Sequence, residues 1–254
     1  MRILLSNDDG LYSPGIRFLA EALKDEHELY ISAPDSEKSG VAHSFTFLTT
    51  LRAVETRLEG LPDIPAYAVF GTPADCVKLA IGNLIPQPDL VISGVNLGAN
   101  RGTDVFYSGT VAAAMEAALN GVRAVAISNV AYPPTDFGAC GPALRYGMKL
   151  MELDESLMLL NINVPDTSAE ELKGCVITKL SNQGYRAEYE KRIDPFNRPY
   201  YWTTSELNAC DPNDTDDDKQ WTKRGYASIT PLLTCLCDHD ALERLKKLTR
   251  ENCK

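Results

Sequence analysis

An α/β protein with a doubly wound, Rossmann-like, mostly parallel sheet flanked by helices is predicted by three observations. Apolar runs of strand length alternate with helical stretches along the first 165 residues or so. The opening run reads as a strand buried on both faces, the mark of a parallel sheet covered by helices. And 254 residues, 44% of them hydrophobic, can bury one full core carrying an extension, a better match than two equal domains.

Residues 2–6 form the first strand, and Ile16, Leu19, Ala20 and Leu23, at i, i+3, i+4 and i+7, give the apolar stripe of a helix packed on the sheet. Glu28 to Ala33 is a second strand ended by Pro34, Tyr67 to Phe70 a short one, and Pro73 to Leu84 a helix with proline at its start. Asp89 to Ser93 is a strand and Gly109 to Asn120 a helix; Val122 to Ser128 and Leu159 to Val164 are strands on either side of a helical segment near 141–152. From Cys175 the pattern turns strand-like, with Tyr185, Tyr189, Tyr200, Tyr201 and Trp202 around an Arg-Pro turn. A polar loop, a strand Ala227 to Thr230 and a final helix from about Asp238 follow. The expected division is an α/β catalytic core over 1–180 and a C-terminal extension of hairpin, return strand and helix over 181–254, within one structural unit. The aromatic hairpin has few partners in a compact domain, so this extension is expected to join subunits into a homodimer or homotetramer.

Composition narrows the function. A net charge of −10 with no Lys/Arg stripe disfavours a nucleic-acid polymer as partner. The first apolar run, Ile3 to Leu5, is far short of a secretory segment, and no stretch approaches a membrane span, so no membrane partner and a cytoplasmic location are expected. Seven cysteines without a CxxC pair argue against zinc and against a complete disulfide framework. His27, His43 and His239 share no spacing of a triad or metal site. The acidic run DPNDTDDDK at 211–219 carries Asp216 where a calcium loop needs glycine, and reads as a solvated turn.

The chemistry concentrates where strands end. In SNDDG, Asp8 and Asp9 stand adjacent at the end of the first strand, the edge at which open parallel sheets bind ligands. Ser39 in DSEKSG and Asn96 and Asn100 in GVNLGANRGTD belong to loops at the same edge. Two carboxylates, a hydroxyl and an amide carbonyl form an oxygen-only set that suits Mg²⁺, Mn²⁺ or Ca²⁺, and a divalent cation resolves the repulsion between the aspartates. Farther on, Ser108, Gly109 and Thr110 open an Ala-rich helix whose first N–H groups make a ready anion site, with Gly109 allowing close approach of phosphate. Metal beside phosphate points to phosphoryl chemistry. In isolation Asp-Asp-Gly also suits a capped turn, and Ser-Gly-Thr a plain helix N-cap.

The order SNDDG, DSEKSG, SGVNLGANRGTDVFYSGTVAAAMEAA, LNINVP and GYASITPL resembles the SurE (survival protein E) family over nearly the whole chain. The resemblance implies a divalent-metal-dependent 5′-nucleotidase, a phosphatase acting on nucleoside 5′-monophosphates with some tolerance for 3′-nucleotides and short polyphosphate. It places metal ligands at Asp8, Asp9, Ser39 and Asn96 for one Mg²⁺ or Mn²⁺ per subunit, catalysis on Asp8 and Asp9, and substrate phosphate at Asn100, Ser108, Gly109 and Thr110. It also implies homo-oligomers that exchange or extend C-terminal segments. The stretch LTCLCDHDAL departs from the family pattern, with Cys235 and Cys237 near where an acidic residue is usual.

Direct attack of metal-activated water on phosphorus is the expected reaction. A phosphorylated-aspartate mechanism fits poorly, because adjacent residues at a strand end point in opposite directions. A non-catalytic nucleotide or phosphate sensor of the same fold is the alternative, although no GxGxxG follows any strand.

Overall fold

The computed structural model describes residues 1–182, 184–186, 188–204, 206–207 and 215–252. Its strands are β1 (Arg2–Ser6), β2 (Glu28–Pro34), β3 (Ala53–Leu58), β4 (Leu61–Val69), β5 (Leu90–Leu97), β6 (Arg123–Asn129), β7 (Leu159–Val164), β8 (Cys175–Ile177), β9 (Tyr185–Arg186), β10 (Tyr189–Ile193), β11 (Pro199–Thr203), β12 (Glu206–Leu207) and β13 (Ala227–Pro231). The helices are α1 (Pro14–Leu23), α2 (Pro73–Leu79), α3 (Gly109–Leu119), α4 (Cys140–Leu153), α5 (Asp218–Lys223) and α6 (His239–Asn252).

Nine strands form one sheet in the order β3-β4-β2-β1-β5-β6-β7-β13-β8. Its centre is parallel, from β4 through β7, and only the pairings of β3 with β4 and of β13 with β7 are antiparallel. The chain winds from β1 outward through β2 to the β3–β4 edge, then returns to lay β5 on the other side of β1. The reversal opens a crevice between the carboxyl ends of β1 and β5, where a doubly wound sheet takes its ligand. Helices α1 and α4 cover one face through Ile16, Leu19, Leu23, Leu144 and Met148; α2 and α3 cover the other through Val77, Val111, Ala114 and Ala117.

Local chemistry accounts for the helix starts. Ser13 caps α1 and Thr72 caps α2, each followed by proline in the first turn, where a missing N–H costs nothing. Three elements exceed what the sequence predicts. β4 begins at Leu61, not Tyr67, and pairs with an unanticipated β3; Pro62 and Pro65 mask its alternation, and a strand near the sheet edge tolerates them. β5 continues past Ser93 to Leu97 through a register shift between Ser93 and Asn96. At that bulge Gly94 has φ +138°, and a Cβ there would collide with the Ile127 carbonyl, so the strand redirects Asn96 only with glycine at this point. The helix predicted to Leu84 ends as an α-helix at Leu79 and finishes in one wider turn, Ala80–Leu84.

The return strand β13 lies inside the sheet, between β7 and β8. The hairpin β10–β11 stands apart from that sheet, and every residue of both strands is exposed. The side chain of Tyr185 and residues 211–214 of the acidic run lie outside the described residues. In the rest of that run Thr215 and Asp216 are exposed, but Asp217, Asp218 and Lys219 are buried instead of solvated, and Asp217 caps α5. Charges repeated in sequence look solvated, and the backbone N–H groups that hydrogen-bond Asp218 come from residues 37 and 116 positions away.

Candidate active site

After β1 the chain turns on Asn7, a residue the sequence reading passed over. Its amide donates to the Gly10 carbonyl at 3.0 Å and to Ser13 Oγ at 2.7 Å, and its Oδ1 accepts from the Gly10 N–H at 3.1 Å. This side-chain turn fixes the Asp8–Asp9 step on the strand end. From the neighbouring loop the Lys38 N–H donates to the Asp8 carbonyl at 2.7 Å.

Asp8 is 4% exposed, and the Thr110 hydroxyl donates to its Oδ1 while lying 3.2 Å from Asn96 Oδ1. One hydroxyl thereby joins the ends of β1, β5 and α3. The Asn96 amide nitrogen is committed to the Gly98 carbonyl at 2.7 Å, which leaves its oxygen to the Thr110 hydroxyl. Asp9, half-buried, accepts from the Leu97 N–H at 3.2 Å.

The electrostatics are unfavourable for two anions. Burial pushes the Asp8 carboxyl above its usual range, opposed by the Thr110 hydroxyl and the N–H groups of Thr110 and Gly109. Burial, then the charge of Asp8, and less strongly that of Glu37, push Asp9 up to about 7 against the Leu97 N–H. Among the described residues no three His, Cys, Asp or Glu side chains gather as a metal cluster. The set is therefore two carboxylates completed by amide and hydroxyl oxygens, which fits a hard divalent cation and not zinc.

The start of α3 abuts this set. A Cβ on Gly109 would lie 2.8 Å from Asp8 Cβ, 2.9 Å from Asp8 Oδ2 and 2.9 Å from Pro73 Cγ, so any larger residue displaces the carboxylate. The first amides of the helix face Asp8, placing the positive end of the helix dipole at the aspartate pair.

The other residues singled out in the sequence take varied places. Ser108 is an N-cap, its Oγ accepting from the Val111 N–H at 3.1 Å. Asn100 is buried, its amide donating to Ser128 Oγ at 2.9 Å, while Asn161 and Asn163 donate to its carbonyl at 2.8 and 3.0 Å. Asn161 and Asn163 were legible only as two asparagines at i and i+2 in an apolar strand, one face of β7. Ser39 is exposed, with its hydroxyl on Glu37 at 2.7 Å. Its loop is pinned farther along by the Ala42 N–H on the Tyr107 carbonyl and by Thr46 on Asp75.

Two supports lie outside the predicted set. Asp218 accepts from the Gly102 N–H at 2.8 Å and the Ser181 N–H at 3.0 Å, and Arg101 donates to Thr222 at 2.6 Å, so α5 braces the loop after Asn100. On the other side of α3, Glu116 accepts from Lys78 and Asn120 at 2.9 Å and lies 2.9 Å from His43 Nε2. Burial raises the Glu116 carboxyl, but these three partners outweigh it and bring it down to about 2. A depressed carboxylate stabilises the fold above its unfolded value of 4.5, and the contribution is lost as pH falls toward 2. Glu116→Ala should therefore cost about 3 kcal/mol at neutral pH, a deficit that urea denaturation should find shrinking in acid.

Fold and site together define an α/β protein with an oxygen-lined crevice at the topological switch of a doubly wound sheet, closed on one side by a glycine-opened helix. The family model described as "Survival protein SurE" matches residues 3–187. The chain belongs to the SurE family. A protein of Pelotomaculum thermopropionicum named 5′-nucleotidase SurE is 44% identical over 98% of this chain and 96% of its own. One of the same name from Desulforudis audaxviator is 44% identical over 97% of each. The crystal structure of the SurE protein from Aquifex aeolicus superimposes with a TM-score of 0.81 at 35% identity, covering 98% of this chain and 99% of that one.

Proposed function

We infer that this chain is a 5′-nucleotidase, that its activity depends on a divalent metal, and that it cleaves nucleoside 5′-monophosphates to nucleoside and inorganic phosphate. The observation that carries the reading is the hydroxyl of Thr110 joining Asp8 and Asn96 beside Asp9 at the switch point. Asp8, Asp9, Asn96 and Ser39 would hold one Mg²⁺ or Mn²⁺ per subunit. Such a cation supplies Lewis-acid polarisation and water activation. Thr110 keeps Asp8 facing the crevice, the Leu97 N–H orients Asp9, and Gly109 leaves room for the Asp8 carboxylate against the α3 amides. Asp9, the less buried carboxylate, orients the attacking water. Water adds to phosphorus, the bond from phosphorus to the ester oxygen breaks, and the leaving alkoxide takes up a proton. Because the phosphate is what the site grips, 3′-nucleotides and short polyphosphate also enter. Phosphate released from adenosine 5′-monophosphate in Mn²⁺ or Mg²⁺, stopped by chelator and restored by metal, tests the reading; chelator-resistant turnover contradicts it. Binding of the nucleotide without turnover under any divalent metal would favour the sensor alternative.

A cytoplasmic homodimer or homotetramer is part of the same proposal. Among the described residues no helix is long and apolar enough to cross a membrane. Tyr201, Trp202 and Phe196 on the isolated hairpin are exposed, as are Leu242, Leu245 and Leu248 along α6. Aromatic and leucine side chains displayed on elements this thin mark protein contacts. Replacing residues 188–204 with a short Gly-Ser turn should lower the sedimentation mass; an unchanged mass would remove the hairpin from the assembly. The replacement stops short of α5, which braces the active-site loop.

A further inference from the structure

Residues 35–52, which connect β2 to β3 and carry Ser39, form neither helix nor strand, and none of them is buried. A connection of more than about 15 residues with no element of its own has to be placed by something other than a core. Lys38 gives one tie to the aspartate pair, its N–H on the Asp8 carbonyl at 2.7 Å. A single tie leaves the turn free to swing about it. Three contacts farther along remove that freedom. The Ala42 N–H donates to the Tyr107 carbonyl at 3.0 Å, just before the Ser108 cap of α3. His43 Nε2 lies 2.9 Å from Glu116 Oε2, while Lys78 and Asn120 occupy Oε1. The Thr46 N–H and hydroxyl donate to the two oxygens of Asp75 at 2.8 and 2.7 Å, and the Thr72 N–H keeps Asp75 in the cap of α2. Glu116 and Asp75 are 5% and 1% exposed, so each latch is a loop residue gripped by a buried carboxylate. The backbone between Ser39 and the latches is strained: Ala42 takes φ +53°, in the left-handed region that a Cβ disfavours. Strain of this kind persists only where the surroundings over-determine the backbone, and it gathers at functional segments.

We propose that His43 and Thr46 are positioning residues for the divalent cation: latched to α3 and α2, they hold the Ser39 turn against the Asp8–Asp9 step and thereby set the affinity for metal. The proposal rests on the metal-dependent reading and deepens it. Both latches are separable from the fold. Loss of the His43 ring leaves Glu116 with Lys78 and Asn120, and loss of the Thr46 hydroxyl leaves Asp75 with two backbone N–H donors, so neither change strands a buried charge. What each change removes is a constraint on the turn. Groups that orient ligands without touching the metal typically contribute about 10- to 100-fold in affinity. Because Ala42 is tied to Tyr107, the same loop also keeps Ser39 and the start of α3 in one frame.

The test measures the full chain in two ways: hydrogen exchange of the 36–47 segment without metal, and calorimetric titration with Mn²⁺. His43→Ala and Thr46→Val should each speed exchange across 38–42 in the metal-free protein and weaken Mn²⁺ binding about tenfold. Turnover of adenosine 5′-monophosphate in saturating Mn²⁺ should stay within about threefold of the parent's, since the ligands themselves are intact. His43→Gln, which keeps a nitrogen near the Nε2 position, and Thr46→Ser, which keeps the hydroxyl, should restore both readings. Faster exchange with the parent's Mn²⁺ affinity overturns the proposal and leaves the metal reading standing. A fall in melting temperature with exchange and affinity both unchanged also overturns it, because the latches then serve stability alone. A parent that binds no Mn²⁺ removes the metal reading and the proposal with it.

Discussion

Asp9→Asn is expected to lower turnover of a nucleoside 5′-monophosphate in Mn²⁺ by about a hundredfold or more while raising the melting temperature of the metal-free protein. The two effects have one cause. Burial and the neighbouring Asp8 lift the Asp9 carboxyl from 3.8 to about 7, so the folded chain binds a proton that the unfolded chain releases. The stability from that proton is fully present below pH 3.8 and is lost as pH rises through about 7. Above that range the ionised carboxylate costs the metal-free fold up to about 4 kcal/mol, a penalty a bound cation removes. Asparagine keeps the shape and the acceptor for the Leu97 N–H but carries no charge. Melting curves of parent and variant at pH 5 and pH 8, with chelator and with Mn²⁺, should show the variant ahead only at high pH without metal. A variant that melts lower throughout while retaining turnover per folded molecule would mean that Asp9 only closes a turn.

Gly109→Ala is expected to be nearly as damaging to catalysis while leaving a folded protein. A single methyl would stand 2.8 Å from Asp8 Cβ and 2.9 Å from both Asp8 Oδ2 and Pro73 Cγ, closer than Cβ atoms approach neighbours. Pro73 belongs to the capped start of α2, so the Asp8 side chain is what gives way, leaving Thr110 and Asn96 behind. A displacement of this kind costs on the order of a hundredfold in rate. Gly109→Pro should go further, because the ring fills the phosphate approach and removes an N–H donor. Inorganic phosphate should inhibit the parent competitively and the alanine variant far less. A folded Gly109→Ala protein with the parent's rate and phosphate inhibition would detach the start of α3 from the site.

The sequence by itself determined the class of fold, because a buried parallel strand and an amphipathic helix each carry their own period, and alternation of the two leaves few architectures. It also determined the oxygen-rich character of the site: Asp8 and Asp9 adjacent after β1, and Ser-Gly-Thr before an Ala-rich helix, are local patterns. Tertiary structure alone decided what those residues do for one another. Thr110 reaches Asp8 across 102 positions, a pairing no periodicity encodes. Tertiary structure likewise supplies the partners of Asn100, which bonds to Asn163 and Ser128 from neighbouring strands. The tail of the acidic run reads as solvated because like charges in a row repel, yet Asp218 is buried once distant backbone N–H groups are brought to it. β3 escaped notice because an edge strand, half-exposed, obeys the alternation least, and the start of β4 because Pro62 and Pro65 interrupt it before its pairing with β2 begins at Ala66. Short-range patterns fix periodicity and capping, whereas the partners of a buried polar group come from wherever the sheet order places them.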